Sequence, residues 1–266
     1  MFAQIKHMAI VSENYALLGR FYEAVFRMRV SGRARPESAV VVGDGYVGMN
    51  INPRRAGRQA GFDHFGFEVD DVETVFARMK AKYPSINVLK RPSNRPFAGL
   101  STHDPAGNVF DLSQRGMENR TDVYEDEDWK QDRYISHLAL RTVIPETVAQ
   151  FYVDVFELKA LERPAGDPNF YLTDGKVTLV VMPWNINDYQ GSGIERPALD
   201  HIGFKVENVE EFKKDLQRIV ERNPSLSPSP VGNGPEGEAR LKLFSKCPFG
   251  KHQLSDPDGV LIDISE

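Results

Sequence analysis

One short pattern occurs twice in this chain, and each copy carries histidine, histidine and aspartate at matching points. Asp63-His64-Phe65-Gly66-Phe67-Glu68-Val69 returns as Asp200-His201-Ile202-Gly203-Phe204-Lys205-Val206. A strand-like histidine precedes each copy, in Ile5-Lys6-His7-Met8-Ala9-Ile10 and in Ile135-Ser136-His137-Leu138-Ala139-Leu140. A turn and a strand ending in aspartate follow each copy, running from Asp104-Pro105 to Asp111 and from Asp256-Pro257 to Asp263. Two imidazoles and a carboxylate are the ligands of an open divalent-metal site. The chain holds that set twice, as His7, His64 and Asp111 and as His137, His201 and Asp263.

The duplication extends well beyond the polar residues. His7 and His137 stand 130 positions apart, as do Phe21-Tyr22 and Phe151-Tyr152, Asp44-Gly45 and Asp174-Gly175, and Pro53 and Pro183. Loop insertions lengthen the offset later, most of all near 223–251. Each half divides again. A histidine strand leads into a helical pattern, with Tyr15, Leu18, Phe21, Tyr22, Val25 and Phe26 at i, i+3 and i+4 spacings. Short strands follow, joined by an Asp44-Gly45 hairpin signal. Each quarter reads β-α-β-β-β, which predicts an α+β chain of four βαβββ modules paired into two cupped, incomplete β-barrels. The predicted organisation is an N-terminal domain over 1–115, a polar linker over 116–132 and a C-terminal domain over 133–266. The stretch 223–250 is rich in Pro, Gly and Ser, and a loop of that length is either a lid or disordered.

Composition narrows the function. At 266 residues the chain is long enough for two domains with separate cores. A formal net charge of −5 argues against nucleic acid as a partner, since binders of nucleic acid show a basic face. The longest apolar runs are too short to span a membrane. The start lacks a basic segment followed by an apolar one, so no secretory signal is expected. Cys247 is the only cysteine, which rules out an internal disulfide and fits a cytoplasmic location. A small-molecule substrate is the expected partner, with homo-oligomerisation left open.

These paired motifs resemble the vicinal oxygen chelate superfamily, which includes glyoxalase I, bleomycin and fosfomycin resistance proteins, methylmalonyl-CoA epimerase and extradiol dioxygenases. The resemblance covers the chain except the linker and 223–250. It implies a metal held by a histidine from the first strand of each module and a carboxylate from the last strand of the second. Those positions are His7, His64 and Asp111, and His137, His201 and Asp263. Four modules in one chain are most similar to two-domain extradiol dioxygenases, whose iron sits in the C-terminal domain. That implies Fe(II) by preference, with Zn(II), Ni(II), Co(II) or Mn(II) as alternatives.

Three departures from the family pattern matter. Both halves have Asp where the family usually has Glu. The strand that supplies a fourth Glu in glyoxalase I reads Val47-Gly48-Met49-Asn50-Ile51-Asn52 here and Val177-Thr178-Leu179-Val180-Val181-Met182 in the second half, without a carboxylate. No Tyr precedes either closing turn, where extradiol enzymes carry one. Three ligands leave positions where a substrate can chelate through two oxygens and O2 can bind. The expected function is therefore an Fe(II) dioxygenase of extradiol type acting in the C-terminal cup. A glyoxalase- or epimerase-type lyase or isomerase is the runner-up, and a metal-free ligand-sequestering protein comes third. His103 and His252 lie near the closing turns and are the candidate proton movers, because imidazole titrates near neutral pH. An exposed loop histidine is the plainer reading of both. Tyr22 and Tyr152 are expected to pack on the sheet from their helices.

Overall fold

The computed structural model describes residues 1–32, 39–91, 97–116, 122–125 and 129–266. The first half runs β1 (Ala3–Ser12), α1 (Tyr15–Phe26), β2 (Arg29–Val30), β3 (Val40–Gly43) and β4 (Gly48–Pro53). It continues with β5 (Gly61–Val69), α2 (Val72–Lys82), β6 (Leu89–Lys90), β7 (Leu100–His103) and β8 (Val109–Gln114). A single helical turn, α3 (Asp122–Glu125), precedes the second half. That half runs β9 (Tyr134–Thr142), α4 (Pro145–Phe156), β10 (Lys159–Ala160), β11 (Phe170–Thr173), β12 (Thr178–Pro183) and α5 (Ile186–Ser192). It ends with β13 (Leu199–Lys205), α6 (Val209–Arg222), α7 (Gly234–Phe244), β14 (His252–Ser255) and β15 (Leu261–Ser265).

Each half makes one mixed sheet. The orders are β2-β3-β4-β1-β5-β8-β7-β6 and β10-β11-β12-β9-β13-β15-β14. The fold is the expected α+β arrangement of paired modules, with one local difference. The fourth module lacks its first short strand. Pro224, Pro228 and Pro230 have no N–H to give a ladder there, and the stretch instead carries a 3-10 turn at Pro224–Leu226 and the helix α7. The stretch 223–250 therefore holds a 3-10 turn and a helix in addition to loop. Among the described residues no helix is long and apolar enough to cross a membrane.

The helices form because their apolar residues line one stripe. In α1, Leu18, Phe21, Tyr22, Val25 and Phe26 are buried, and in α4 so are Val148, Phe151, Tyr152, Val155 and Phe156. Asn14 caps α1 by accepting from Leu17 N–H. Both helices end on a left-handed residue that is not glycine, Arg27 at φ 58° and Glu157 at φ 57°, which stand at equivalent points of the repeat.

The two halves share one continuous apolar core instead of keeping two. Phe26 of α1 stacks on Phe204 of β13 at 3.8 Å, and Phe156 of α4 stacks on Phe67 of β5 at 4.2 Å. The polar contacts across this interface are reciprocal as well. Tyr22 donates to Asp256 (2.9 Å) and Tyr152 donates to Asp104 (3.1 Å). Ile5 N–H donates to Asp174 and Ile135 N–H to Asp44, each at 2.7 Å. All four aspartates also organise their own turns. Asp44, for example, accepts from the N–H groups of Tyr46 and Val47. The two tyrosines pack from their helices as the sequence suggests, but their hydroxyls reach across to the other half.

Burial pushes the Asp256 carboxyl from 3.8 up to about 7, with only partial relief from backbone N–H groups and Tyr22. The folded protein then holds a proton that the unfolded chain releases near 3.8. The associated stability is present below that value and is lost as pH rises through about 7. Asp256→Asn keeps the turn acceptor and removes this titration. Urea midpoints measured across that window should fall with rising pH more steeply in the wild type than in the variant. Parallel slopes would show that Asp256 does not couple the interface to pH.

Candidate metal centres in the two cups

Strand register explains why the doubled motif converges. In β5 and β13, His and Gly stand two residues apart and so share a face. Gly66 pairs with His7 on one side and Asp111 on the other, and Gly203 pairs likewise with His137 and Asp263. A Cβ on Gly203 would lie 1.9 Å from the His137 ring, and one on Gly66 would meet Asp111 O and the Phe97 ring at 2.9 Å. The glycine therefore vacates the space into which the neighbouring side chains lean. The helix-covered faces of the sheets form the shared core, and the opposite faces line the cups.

In the N-terminal cup, His7 Nε2 and His64 Nε2 are 3.3 Å apart, and Asp111 Oδ2 lies 3.2 Å from His64 Nε2 and 3.9 Å from His7 Nε2. The far nitrogens are engaged. His64 Nδ1 donates to Asp63 (2.7 Å), which Arg58 holds from the other side at 2.6 and 2.8 Å. His7 Nδ1 lies 2.6 Å from the Tyr124 hydroxyl, which donates to Asn50 Oδ1 at 3.1 Å. With the tyrosine hydroxyl donating to Asn50, the geometry suits the His7 tautomer that carries its proton on Nδ1. The two Nε2 atoms face one another within hydrogen-bond distance, an arrangement that calls for a proton or a cation between them. Burial opposes a charged His64, but hydrogen bonds to Asp111 and Asp63 outweigh it and raise the ring to about 9. Asp111 is also penalised by burial, yet His64 and His7 hold it down at about 2. Ser101 donates to the other Asp111 oxygen. The side chains of His64 and Asp111 keep 18% and 13% of their surface exposed, which decides which cup solvent can enter.

The C-terminal cup repeats the set but is sealed. His137 Nε2 lies 3.3 Å from Asp263 Oδ2, and both side chains have 0% exposure. His201 Nδ1 donates to Asp200 (2.7 Å), which also accepts from Arg141 (2.7 Å) and from Arg240 of α7 (3.0 Å). Burial works against ionised Asp200, but the two arginines and His201 hold it well below the usual carboxylate range. Burial, helped by the neighbouring His201, lowers His137 against the opposing pull of Asp263. His137 Nε2, His201 Nε2 and Asp263 Oδ2 are buried without a hydrogen-bond partner. Phe249 stacks on His137 at 4.9 Å, and Phe244 lies 4.7 Å from His201. Cys247 joins this group, with all four donor atoms within 4.8 Å of one another. Burial and the nearby Asp263 push its thiol up to about 12.

The structure thus gathers His7, His64 and Asp111 in one cup and His137, His201 and Asp263 in the other. It does not bring His103 or His252 to either. His252 pairs with Ile264 while Gln253 pairs with Asp263, so Gln253 faces the cup and His252 faces α6, near Lys213 and Glu210. His103 is engaged with the Asp104 carbonyl at 2.8 Å and Asn87 N–H at 3.3 Å. Strand alternation and the turn geometry therefore exclude both as hydrogen-bonding partners of the triads among the described residues.

Sequence reasoning missed several participants. Asp63 and Asp200 stood in the repeated motif, and Phe97 and Phe249 follow the 152-residue offset of Asp111 and Asp263, so the repeat itself was a signal for all four. Cys247 had no such signal. Neither did Tyr124, which lies in the predicted linker. Residues 117–121 and 126–128 of that linker lie outside the described residues. The turn α3 places Val123 and Tyr124 inside the N-terminal cup with Val41, Phe97 and Ala98.

This nested fold is a tandem arrangement of paired βαβββ modules, with two histidines and a carboxylate gathered in each cup. The chain belongs to the Glyoxalase/Bleomycin resistance protein/Dioxygenase superfamily, whose family model matches residues 4–112 and 134–264. No curated protein matches it in sequence. Among solved structures it is similar to the Mn(II)-bound glyoxalase from Novosphingobium aromaticivorans, with a TM-score of 0.66 and 16% identity over 99% of this chain and 81% of that one. It is also similar to an extradiol ring-cleaving dioxygenase from B. fuscum, with a TM-score of 0.65 and 14% identity over 100% and 72% of the two chains. The 2,3-dioxygenase LapB from Pseudomonas sp. KL28 gives a TM-score of 0.62 and 18% identity over 98% and 91%. At these identities the likeness establishes the fold.

Gly203→Ala tests the register argument. The added methyl has to displace the His137 ring, and overpacking of this kind costs about 1–3 kcal/mol. Chemical denaturation should report a loss in that range, and the His137 imidazole resonances should shift. An unchanged midpoint would mean that the ring does not occupy the glycine's space.

Proposed function

We propose that the protein is a metal-dependent enzyme whose N-terminal cup holds a divalent metal, Fe(II) by preference, on His7, His64 and Asp111. Its substrate is a small molecule with two adjacent oxygens, such as a catechol or an α-hydroxycarbonyl compound. The observation that carries this reading is the 3.3 Å approach of two imidazole Nε2 atoms beside a carboxylate, in a cup where His64 and Asp111 stay partly exposed. The sequence pointed to the C-terminal cup as the active one. The complete burial of that triad moves the proposal to the N-terminal cup.

The metal would supply Lewis acidity at positions left open by three protein ligands. The chain's residues do the rest. Asp63 and Tyr124 fix the tautomers of His64 and His7, so that each presents Nε2. Ser101 holds one oxygen of Asp111 and leaves the other aimed at the histidines. Phe97, stacked on His7 at 4.6 Å, gives the cup an apolar wall suited to a flat ring.

A specific residue favours oxygen-dependent cleavage over isomerisation. Moving a proton between two carbons needs a base in reach. The β4 strand, where glyoxalase-type enzymes carry a carboxylate, has Asn50 here, and Asn50 is already bonded to Tyr124. The proposed reaction is therefore ring cleavage of the extradiol type, with the lyase or isomerase as the second reading.

Fe(II)-loaded protein offered catechols and α-hydroxycarbonyls should consume oxygen with at least one catechol, and His64→Ala should abolish the uptake. Turnover without oxygen uptake would move the assignment to the lyase or isomerase. Tight ligand binding with neither metal nor turnover would make the protein a sequestering one. Tyr124→Phe removes the partner of His7 Nδ1 and should weaken metal binding at this cup by about 10–100-fold. Titration with a competing chelator measures that change, and an unchanged affinity would remove Tyr124 from the site.

A further inference from the structure

We infer that Cys247 completes a closed, four-donor metal site of the zinc class in the C-terminal cup, on His137, His201, Asp263 and Cys247, and that this site fastens the 234–250 arm to the sheet. The donor atoms of all four residues lie within 4.8 Å of one another. A tetrahedral centre with bonds of about 2.0–2.3 Å places its donors about 3.4–3.8 Å apart, so a modest contraction suffices. Three of the four donor atoms, His137 Nε2, His201 Nε2 and Asp263 Oδ2, are buried without a hydrogen-bond partner. Buried polar atoms are ordinarily satisfied, and although His137 Nε2 and Asp263 Oδ2 stand 3.3 Å apart, a cation would satisfy all three atoms together. Their other polar atoms are already spoken for. His137 Nδ1 lies 3.1 Å from Ser136 Oγ, His201 Nδ1 donates to Asp200, and Asp263 Oδ1 accepts from Gln253 at 2.9 Å.

The surroundings favour a structural site over a substrate-binding one. Cys247 is 2% exposed and packs with Ala139, Tyr171, Val180, Met182 and Phe249. A Cβ on Gly250 would fall 1.5 Å from Asp263 Oδ1, so the arm's backbone lies directly against the carboxylate. The space that an incoming chelating substrate would need is filled by the arm. A four-donor set including a thiolate suits zinc and leaves no vacant position. The N-terminal half contains no cysteine, so the two cups differ in this one soft donor. Arg240 of α7 binds Asp200, the carboxylate behind His201, which ties the same arm to the centre a second time.

The test uses the intact chain and a readout independent of turnover, so it can fail or succeed separately from the proposed activity. His64→Ala protein, with its N-terminal set broken, should retain about one zinc per chain, and X-ray absorption should find one sulfur at about 2.3 Å from it. Cobalt(II) in place of zinc should show a thiolate charge-transfer band in the near ultraviolet. In Cys247→Ser the sulfur shell and the band should vanish, affinity should fall tenfold or more, and proteolysis within 234–250 should accelerate. The cobalt band in His64→Ala protein stands on its own if the serine variant does not fold. A metal surrounded only by nitrogen and oxygen, or no metal retained in His64→Ala, would overturn the inference and leave Cys247 as a core thiol.

Discussion

At Gly66 and Gly203 the chain gives up a side chain, which leaves room for Asp111 and Phe97 beside the first and for the His137 ring beside the second. The rest of each cup depends on this. β1 meets β5 antiparallel while β8 meets β5 in parallel, and the glycine is the residue where both pairings register on a ligand-bearing position. The histidine two residues earlier is then forced onto the same face. A larger residue at Gly203 would displace the His137 ring, and one at Gly66 would press on Asp111 and Phe97. The apolar core on the other side of each sheet fixes that register, because a slip by one residue would turn Met8, Ile10, Phe65 and Phe67 out of it.

The two cups began as copies and are finished differently by segments that do not belong to the repeat. In the first, part of the interdomain stretch folds back and inserts Tyr124 behind His7. In the second, an insertion before β14 folds as α7 and lays Phe244, Cys247 and Phe249 over the donors. One insertion buttresses a ligand from behind and leaves the front accessible. The other covers the front. The same two-histidine, one-carboxylate arrangement is therefore partly exposed in one half and fully buried in the other, and the pull on the imidazoles differs accordingly. His64 is drawn toward protonation by two carboxylates, whereas burial lowers His137.

The repeat made the modules, the sheet-forming strands and the six converging donors readable, because each is a local pattern that occurs at a fixed offset. The outer aspartates Asp63 and Asp200 were equally visible in that pattern, but a carboxylate adjacent in sequence to a histidine gives no hint that the two side chains meet. Tyr124 and Cys247 were invisible for a different reason. Each sits in a polar or turn-rich stretch with no periodicity, and its position is set by tertiary packing against a cup that the local sequence does not describe. His252 shows the opposite failure. Its nearness to the closing turn looked suggestive, but one residue of strand alternation aims it at α6 while Gln253 takes the cup face.

The contacts between the halves are mutual. Each half gives the other a helix, a tyrosine hydroxyl and an aspartate that takes a strand N–H, and receives the same in return. A surface that is its own complement is what two identical subunits use to form a twofold dimer. The interior of this single chain therefore has the form of a homodimer interface whose subunits have been joined end to end. Joining has a consequence that a true homodimer cannot share: one centre can be sealed while the other stays open, since a substitution no longer appears in both at once.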